Sequence, residues 1–410
     1  MSAASSRLSG ALVATLVAAS FISLMSFGVR AAFGLFTAPL PPDLGITREA
    51  YSLAIAVQNL CWGVTQPFAG HLTDRFGARR VMLVGALLYL AGILGLVVSG
   101  TALHVLLSAG VLVGVGMGGA SFSTALAALG RVMPESHRSW ALGVGTAAGS
   151  LGQFVIVPLV QACIDLGAHW SAGAGCMAAG IASILVAAWF VREVPAAGGA
   201  AAVPAASART VLGGAFAHRS YVWLVLGFFV CGFQLAFITT HFPAYLGDLG
   251  VSASLSSWAV AMIGLFNVLG AYLAGTLGGR WGKKPLLVWI YLVRGALIAG
   301  FVLLPVSTAT VLGFGAGMGL LWLSTVPLTS GLVATFFGTR YMGMLFGIAF
   351  FSHQVGSFLG VSLAGAVYQR TGSYDAMWWG CVALSLLAAV ANLPVREQPA
   401  ERFLRLAGAR

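Results

Sequence analysis

The chain has 410 residues; 59% are hydrophobic, only 8% are charged, and the mean hydropathy is +0.95. Soluble domains carry about a quarter of their residues as charged side chains, so a water-soluble globule is excluded and an all-α, multi-pass membrane protein is implied. The formal net charge of +11 gives no reason to expect a nucleic-acid partner, because the basic residues gather in loops on one side of the spans.

A helix crosses a ~30 Å hydrocarbon core with about twenty residues. On that measure twelve transmembrane helices are predicted, at 11–39, 50–72, 80–100, 104–130, 138–164, 170–192, 220–246, 253–278, 285–305, 309–337, 341–367 and 374–394. The first run is too long for the apolar core of a cleavable signal and leads directly into further spans, so it is expected to be retained. With the N-terminus in the cytoplasm, 17 of the 21 lysines and arginines fall inside, Arg48 and Arg370 fall outside, and Arg30 and Arg294 lie within spans. That asymmetry predicts both termini cytoplasmic by the positive-inside rule.

In span one, Ser23, Ser26, Arg30 and Thr37 share a helical face, and a polar stripe on a membrane helix faces protein or a water-filled cavity. Span two carries Gln58, Asn59, Trp62, Thr65 and Gln66 on two adjoining faces. It leads into Gly70-His71-Leu72-Thr73-Asp74-Arg75-Phe76-Gly77-Ala78-Arg79-Arg80, which returns 205 residues later as Gly275-Thr276-Leu277-Gly278-Gly279-Arg280-Trp281-Gly282-Lys283-Lys284. The outer segment Asp43-Leu44-Gly45-Ile46-Thr47 recurs as Asp248-Leu249-Gly250-Val251-Ser252 at the same offset. The chain is a duplication, as expected of carriers whose two halves rock about a central site.

Gly110, Gly114 and Gly118 in span four are spaced by four residues, which lets helices approach closely; no strand precedes them, so a dinucleotide loop is not implied. The same packing role is expected for Ala141, Gly145 and Gly149 in span five and for Gly356, Gly360 and Ala364 in span eleven. Spans five and eleven are in register at an offset of 204, with Gly143 matching Gly347, Gly152 matching Gly356, and Gly149 replaced by His353. The expected domains are an N-terminal six-helix bundle at 1–192, a flexible cytoplasmic linker at 193–219, a C-terminal six-helix bundle at 220–395 and a cytoplasmic tail at 396–410 lying on the inner leaflet. The five cysteines lack C-x-x-C spacing and imply neither metal nor disulfide.

All ten acidic residues can be placed outside the hydrocarbon core, whereas Arg30, His241, Arg294 and His353 lie within it. An intramembrane cation without a carboxylate partner is costly unless water, carbonyls or an anionic ligand offsets it, which favours an anionic small-molecule substrate. Arg30, Asn59, Gln66, Gln234, His241, Asn267, Tyr272, Trp322, His353 and Gln354 are the expected substrate-binding residues. His353, near the middle of span eleven, is also the candidate proton carrier, since histidine titrates near neutral pH. Arg294 is open to either a site role or a structural one.

The duplicated loop, with its pattern G-x-x-x-D-R-x-G-x-R-R, closely resembles the signature loop of the major facilitator superfamily of secondary transporters. The resemblance implies two six-helix bundles around a cavity lined by spans one, four, seven and ten. It also implies a conformational latch at Asp74, with Gly70, Arg75, Gly77, Arg79, Arg131, Arg138 and Arg280 around it; Gly279 stands in place of the aspartate in the second half. Val326-Pro327-Leu328-Thr329-Ser330-Gly331 running to Phe337-Gly338-Thr339-Arg340-Tyr341 resembles the monocarboxylate and oxalate/formate branches. Those branches commonly place an arginine in span eight, and this chain has none there. The implied function is alternating-access transport of a monocarboxylate-like anion across a bacterial inner membrane, by a monomer in the lipid bilayer, with no cofactor or metal and a proton as candidate coupling ion. A proton-driven efflux pump for amphiphilic molecules is the alternative; a membrane enzyme or transport-like receptor would need a catalytic constellation or an added soluble domain that the sequence does not offer.

Overall fold

The computed structural model describes residues 9–192, 208–338, 341–401 and 403, without the side chains of Asp74, Glu135, Ser139 and Ala208. Twelve long helices occupy these residues: α1 (Gly10–Phe36), α2 (Arg48–Phe76), α3 (Ala78–Val97), α4 (Ala102–Val132), α5 (Glu135–Gly167), α6 (Trp170–Ala188), α7 (Arg219–Asp248), α8 (Ala253–Arg280), α9 (Lys283–Leu303), α10 (Thr308–Phe337), α11 (Met342–Thr371) and α12 (Asp375–Asn392). Eleven are apolar enough to count as spans by length and composition. The exception is α2, whose 29 residues match its neighbours in length but include Gln58, Asn59 and Gln66; it spends that polarity on other helices, packing against α4 and α11. Helices α1–α6 and α7–α12 form two six-helix bundles that meet along α2/α11 and α5/α8.

The duplication is visible in backbone geometry. Gly77 between α2 and α3 has φ 88°, ψ 152°, and Gly282 between α8 and α9 has φ 89°, ψ 151°. A side chain is strained in that region, so a glycine is needed to join α2 to α3 by Gly77 alone and α8 to α9 by Trp281 and Gly282. Small residues elsewhere bring helices into contact. A Cβ on Gly114 would stand 2.5 Å from Gln58 O of α2, and one on Gly116 2.4 Å from Tyr89 N of α3, so the glycines of α4 serve packing. Gly356 and Gly360 of α11 likewise lie against the Phe229 and Phe233 carbonyls of α7.

Two features differ from expectation. Residues 193–207 of the linker lie outside the described residues, but Ala208–Phe216 is a helix rather than flexible chain. The tail, expected on the inner leaflet, instead packs on the C-terminal bundle as far as it is described. Val395, Ala400 and Phe403 are buried, Arg396 N donates to Ser220 Oγ, and Ala400 N donates to Phe336 O. Glu397 Oε1 accepts from Lys284 N at 2.7 Å. A carboxylate is favoured there because the first N–H groups of α9 have no partner within the helix. Residues 402 and 404–410 lie outside the described residues.

The bundles are fastened at the end away from the basic turns. Arg48 of α2 makes a bidentate ion pair with Asp248 of α7, at 2.7 and 2.9 Å, and its guanidinium lies 4.3 Å over the Tyr368 ring of α11. Thr37 Oγ1 donates to Thr240 O at 2.8 Å, and Gly34 abuts the Thr239 carbonyl. Toward the basic turns the packing is sparser. Gly70, Gly143, Gly275, Gly279, Gly343 and Gly347, on the four interface helices, have open space at the Cβ position.

Candidate functional site

Arg30 lies in the last α-helical turn of α1, where the helix tightens to a 3₁₀ turn over Phe33–Phe36. One guanidinium nitrogen, Nη2, donates to Asn59 Oδ1 of α2 at 2.9 Å. The guanidinium carbon lies 5.0 Å from the Trp62 ring and 5.9 Å from the Phe27 ring. Its Nε is buried without a hydrogen-bond partner. The ion pairs among the described residues are Arg48–Asp248, His169–Asp43 and Lys283–Glu397, and none reaches Arg30. Two cavities of about 10 Å³ flank it, each with room for about one water. Ser26, Trp62, Ser121 and Phe122 are among the lining of one, and Gln58, Asn59 and Thr239 of the other.

Polar contacts continue from Arg30 into the other bundle. Gln354 of α11 donates Nε2 to Asn59 O at 3.0 Å, while its Oε1 lies 3.0 Å from His353 Nδ1. Because the amide nitrogen is committed to a carbonyl, Oε1 must face the ring, and Nδ1 must therefore carry a proton. In the neutral ring the other nitrogen, Nε2, is then the acceptor. His353 is 8% exposed, stacked on Phe350 with ring planes 6° apart and tilted against Phe228 at 4.9 Å.

Gln66 borders this group: it accepts from Trp62 Nε1 at 3.0 Å and from Ser121 Oγ at 3.4 Å. Ser121 caps the second half of α4, which is interrupted at Ala120. A matching interruption divides α10 at Trp322–Ser324. Arg294 of α9 serves that break: its Nη2 donates to the carbonyls of Leu321 and Trp322, and Nη1 donates to Gln234 Oε1 at 3.2 Å. Gln234 is held in turn by donation to Cys381 O and Ser385 Oγ. On the other side of the break, Leu323 N donates to Asn267 Oδ1, and Asn267 Nδ2 reaches across to Ser150 Oγ of α5 at 2.8 Å.

The remaining expected residues lie apart from this network. His241 is fully buried between Tyr374 Oη and Val361 O, each 3.1 Å away. The carbonyl can only accept, so Nε2 donates to it, while Nδ1 meets a hydroxyl able to donate or accept: both ring nitrogens are partnered. Tyr272 is 68% exposed and Trp322 is buried. In the latch region Gly70, Arg75, Arg131, Arg138 and Arg280 are exposed, with Gly77 at the α2–α3 turn. Arg131 donates to Thr73 O at 3.4 Å and Arg79 to Val191 O at 3.1 Å. The side chain of Asp74, the centre of the expected latch, lies outside the described residues. No group of three or more His, Cys, Asp or Glu able to hold a metal occurs among the described residues.

The sequence reading did not include the aromatic walls Phe27, Trp62 and Phe350 in the site, although a signal was present. Each lies three residues from a polar partner, Arg30, Asn59 or His353 respectively, and residues three apart share a helical face.

A model of the Major Facilitator Superfamily matches residues 16–360. The chain is 28% identical over 397 residues to the "Uncharacterized MFS-type transporter YcxA" of Bacillus subtilis, covering 91% of each chain. It is 24% identical to the oxalate:formate antiporter of Oxalobacter formigenes, covering 95% of this chain and 94% of that one. With Monocarboxylate transporter 13 of Bos taurus the identity is 26%, covering 88% and 83%. Among solved structures, a D-xylose-proton symporter superposes with a TM-score of 0.71 at 16% identity, covering 94% of this chain and 98% of that one. The xylose transporter XylE from E. coli, in an inward open conformation, gives 0.72 at 13% identity, covering 94% and 96%. At such identities the likeness shows the fold alone.

Proposed function

The chain belongs to the Major Facilitator Superfamily, and from that premise we propose that it carries a small, monocarboxylate-like organic anion bound against Arg30, with His353 carrying the accompanying proton. That it is a multi-pass membrane transporter working by alternating access, and not an enzyme, follows from the family and its named relatives. The anion rests on one observation: Arg30 stands at the junction of the bundles with a partnerless Nε and no acidic partner among the described residues. A guanidinium offers planar, bidentate recognition to a carboxylate, and the rings of Trp62 and Phe27 beside it suit an apolar body. An oxalate:formate antiporter and a monocarboxylate transporter among the relatives support the same substrate class. Arg294, whose Nε is likewise unpartnered, does not compete for this role, because carbonyls and Gln234 already hold both of its Nη groups.

In this proposal the basic turns face the cytoplasm, as the charge asymmetry predicts, in a bacterial inner membrane, and the carrier works as a monomer.

Uptake into proteoliposomes of a panel of carboxylates, aromatic acids, sugars and lipophilic cations, with and without a pH gradient, tests the reading. A carboxylate should be transported, and Arg30→Gln should lower its apparent affinity roughly 10- to 100-fold, the worth of a lost charge-assisted hydrogen bond. A cationic or neutral best substrate, or normal anion transport by Arg30→Gln, overturns the anion site. Preference for lipophilic cations would favour the efflux alternative.

A further inference from the structure

The two bundles are pinned to each other by the same joint built twice. In one, Gln354 of α11 donates Nε2 to Asn59 O of α2 at 3.0 Å, lying over Gly63, where a Cβ would stand 2.7 Å from Gln354 Cβ. In the other, Gln153 of α5 donates Nε2 to Val260 O of α8 at 2.9 Å, lying over Gly264, where a Cβ would stand 2.7 Å from Gln153 Cβ. Carbonyl and glycine are one helical turn apart in both cases. The glycine is a socket that admits the glutamine stem to the partner backbone, whose carbonyl has a second lone pair to offer.

The joints differ in what lies beyond them. The Val260 joint ends on an apolar, buried residue. The Asn59 joint continues at both ends: Asn59 Oδ1 accepts from Arg30, and Gln354 Oε1 faces His353 Nδ1. While the joint is made, the orientation of the Gln354 amide is dictated by the other bundle, and that orientation sets which nitrogen of His353 is free for a proton. When α11 leaves α2, the amide can turn and present N–H to Nδ1. That face must then accept rather than donate, which disfavours the doubly protonated ring.

We propose that Gln354 is a positioning residue that makes the proton on His353 conditional on the α2/α11 joint, and so ties it to the anion held at Arg30. The proposal rests on the anion-site reading above. Among the described residues, the other titratable groups toward this ring are few. Cys231 of α7 is hydrogen-bonded to His353, feels the charge of Arg294 and lies 3.2 Å from Thr325 Oγ1 of α10. On α2, Cys61 packs instead toward Gly114 of α4. Among the described residues, Arg30 connects to His353 by hydrogen bonds through Asn59 and Gln354, and by ring contacts through Trp62 and Phe350.

The test compares Gln354→Met with Gln153→Met, which empties the second joint without touching the network, in liposomes loaded with the carboxylate identified by screening. Two readouts separate the roles: exchange of labelled for unlabelled substrate, which requires no net proton movement, and accumulation driven by a pH gradient. Gln354→Met should lower gradient-driven accumulation about tenfold more than it lowers exchange, the worth of one buried hydrogen bond. Gln153→Met should change both readouts in proportion. Gln354→Glu supplies a negative acceptor to Nδ1, which favours the imidazolium, and should move the pH midpoint of accumulation upward. Proportional losses in Gln354→Met, or an unmoved midpoint in Gln354→Glu, would make Gln354 interface filling and overturn the proposal. Neither result touches the anion site, which stands or falls with Arg30→Gln. A parent protein that transports the anion with no response to a pH gradient overturns the proton role and this proposal with it.

Discussion

Two arginines lie inside the membrane-spanning part of the chain, and the structure gives them different surroundings. The Nε of each is buried without a partner, but the Nη groups of Arg294 are held by two carbonyls and an amide oxygen, whereas those of Arg30 make one side-chain hydrogen bond. Removing Arg294 leaves several acceptors unpaired, each worth about 1–3 kcal/mol when buried. Arg294→Met is therefore expected to lower stability by on the order of 3 kcal/mol, read as a drop in the thermal unfolding midpoint in detergent, while Arg30→Gln leaves that midpoint nearly unmoved. Equal midpoints for the two variants would refute the distinction. His241 belongs with Arg294. Both ring nitrogens are occupied, so His241→Gln should alter stability without altering the pH dependence of transport. Polarity at internal positions pointed to Arg30, Asn59, His353 and Gln354 together, and the fold brings these four into one network. Polarity could not separate Arg30 from Arg294, because a run of residues does not reveal which backbone carbonyls a broken helix leaves exposed.

At the scale of helices, eleven of the twelve expected spans are helices apolar enough to cross a membrane, and α2 matches them in length alone; the duplication and the Gly77 and Gly282 turns were legible in the repeated loop. The interruptions of α4 and α10 were not. Their glycines fit close packing, which they do provide, and nothing in a 3.6-residue period marks the turn where a helix stops and restarts. The α10 break is held by Asn267, which both caps Leu323 N and bridges to Ser150 of the opposite bundle. Asn267→Ala loses both contacts and should cost about 1–2 kcal/mol, as expected for a lost helix cap; Ser150→Ala loses only the bridge and should cost less. Chemical denaturation of the two variants in detergent checks that order, and a larger loss in Ser150→Ala would contradict the capping role.

For the whole molecule, the fastening that stands out is the Arg48–Asp248 pair. Its side chains are 18% and 31% exposed, so on its own it is worth about 1 kcal/mol or less. An energy of that size still shifts a two-state equilibrium about fivefold. Asp248→Asn should therefore raise the reactivity of a cysteine placed at Thr240 toward a membrane-impermeant thiol reagent several-fold. The exchange Arg48→Asp with Asp248→Arg should restore protection. Unchanged labelling in Asp248→Asn would mean that the Thr37–Thr240 contact alone keeps that end shut. The repeat hides this asymmetry from sequence. Asp43, the counterpart of Asp248, binds Trp170 Nε1 within its own bundle at 2.6 Å, and the position matching Arg48 is Ala253.

The lone cation at Arg30 also has an electrical consequence. A carrier holding a monoanion against Arg30 and the accompanying proton on His353 bears the same single positive charge as the empty carrier. Moving one elementary charge through the full membrane potential is worth about 2.3 kcal/mol per 100 mV. The loaded and empty steps carry that charge in opposite directions, so the complete cycle moves no net charge. Clamping the potential across proteoliposomes with a potassium ionophore is therefore expected to leave the final level of accumulation driven by a pH gradient unchanged. An accumulation level that follows the voltage would mean that the anion crosses without its proton.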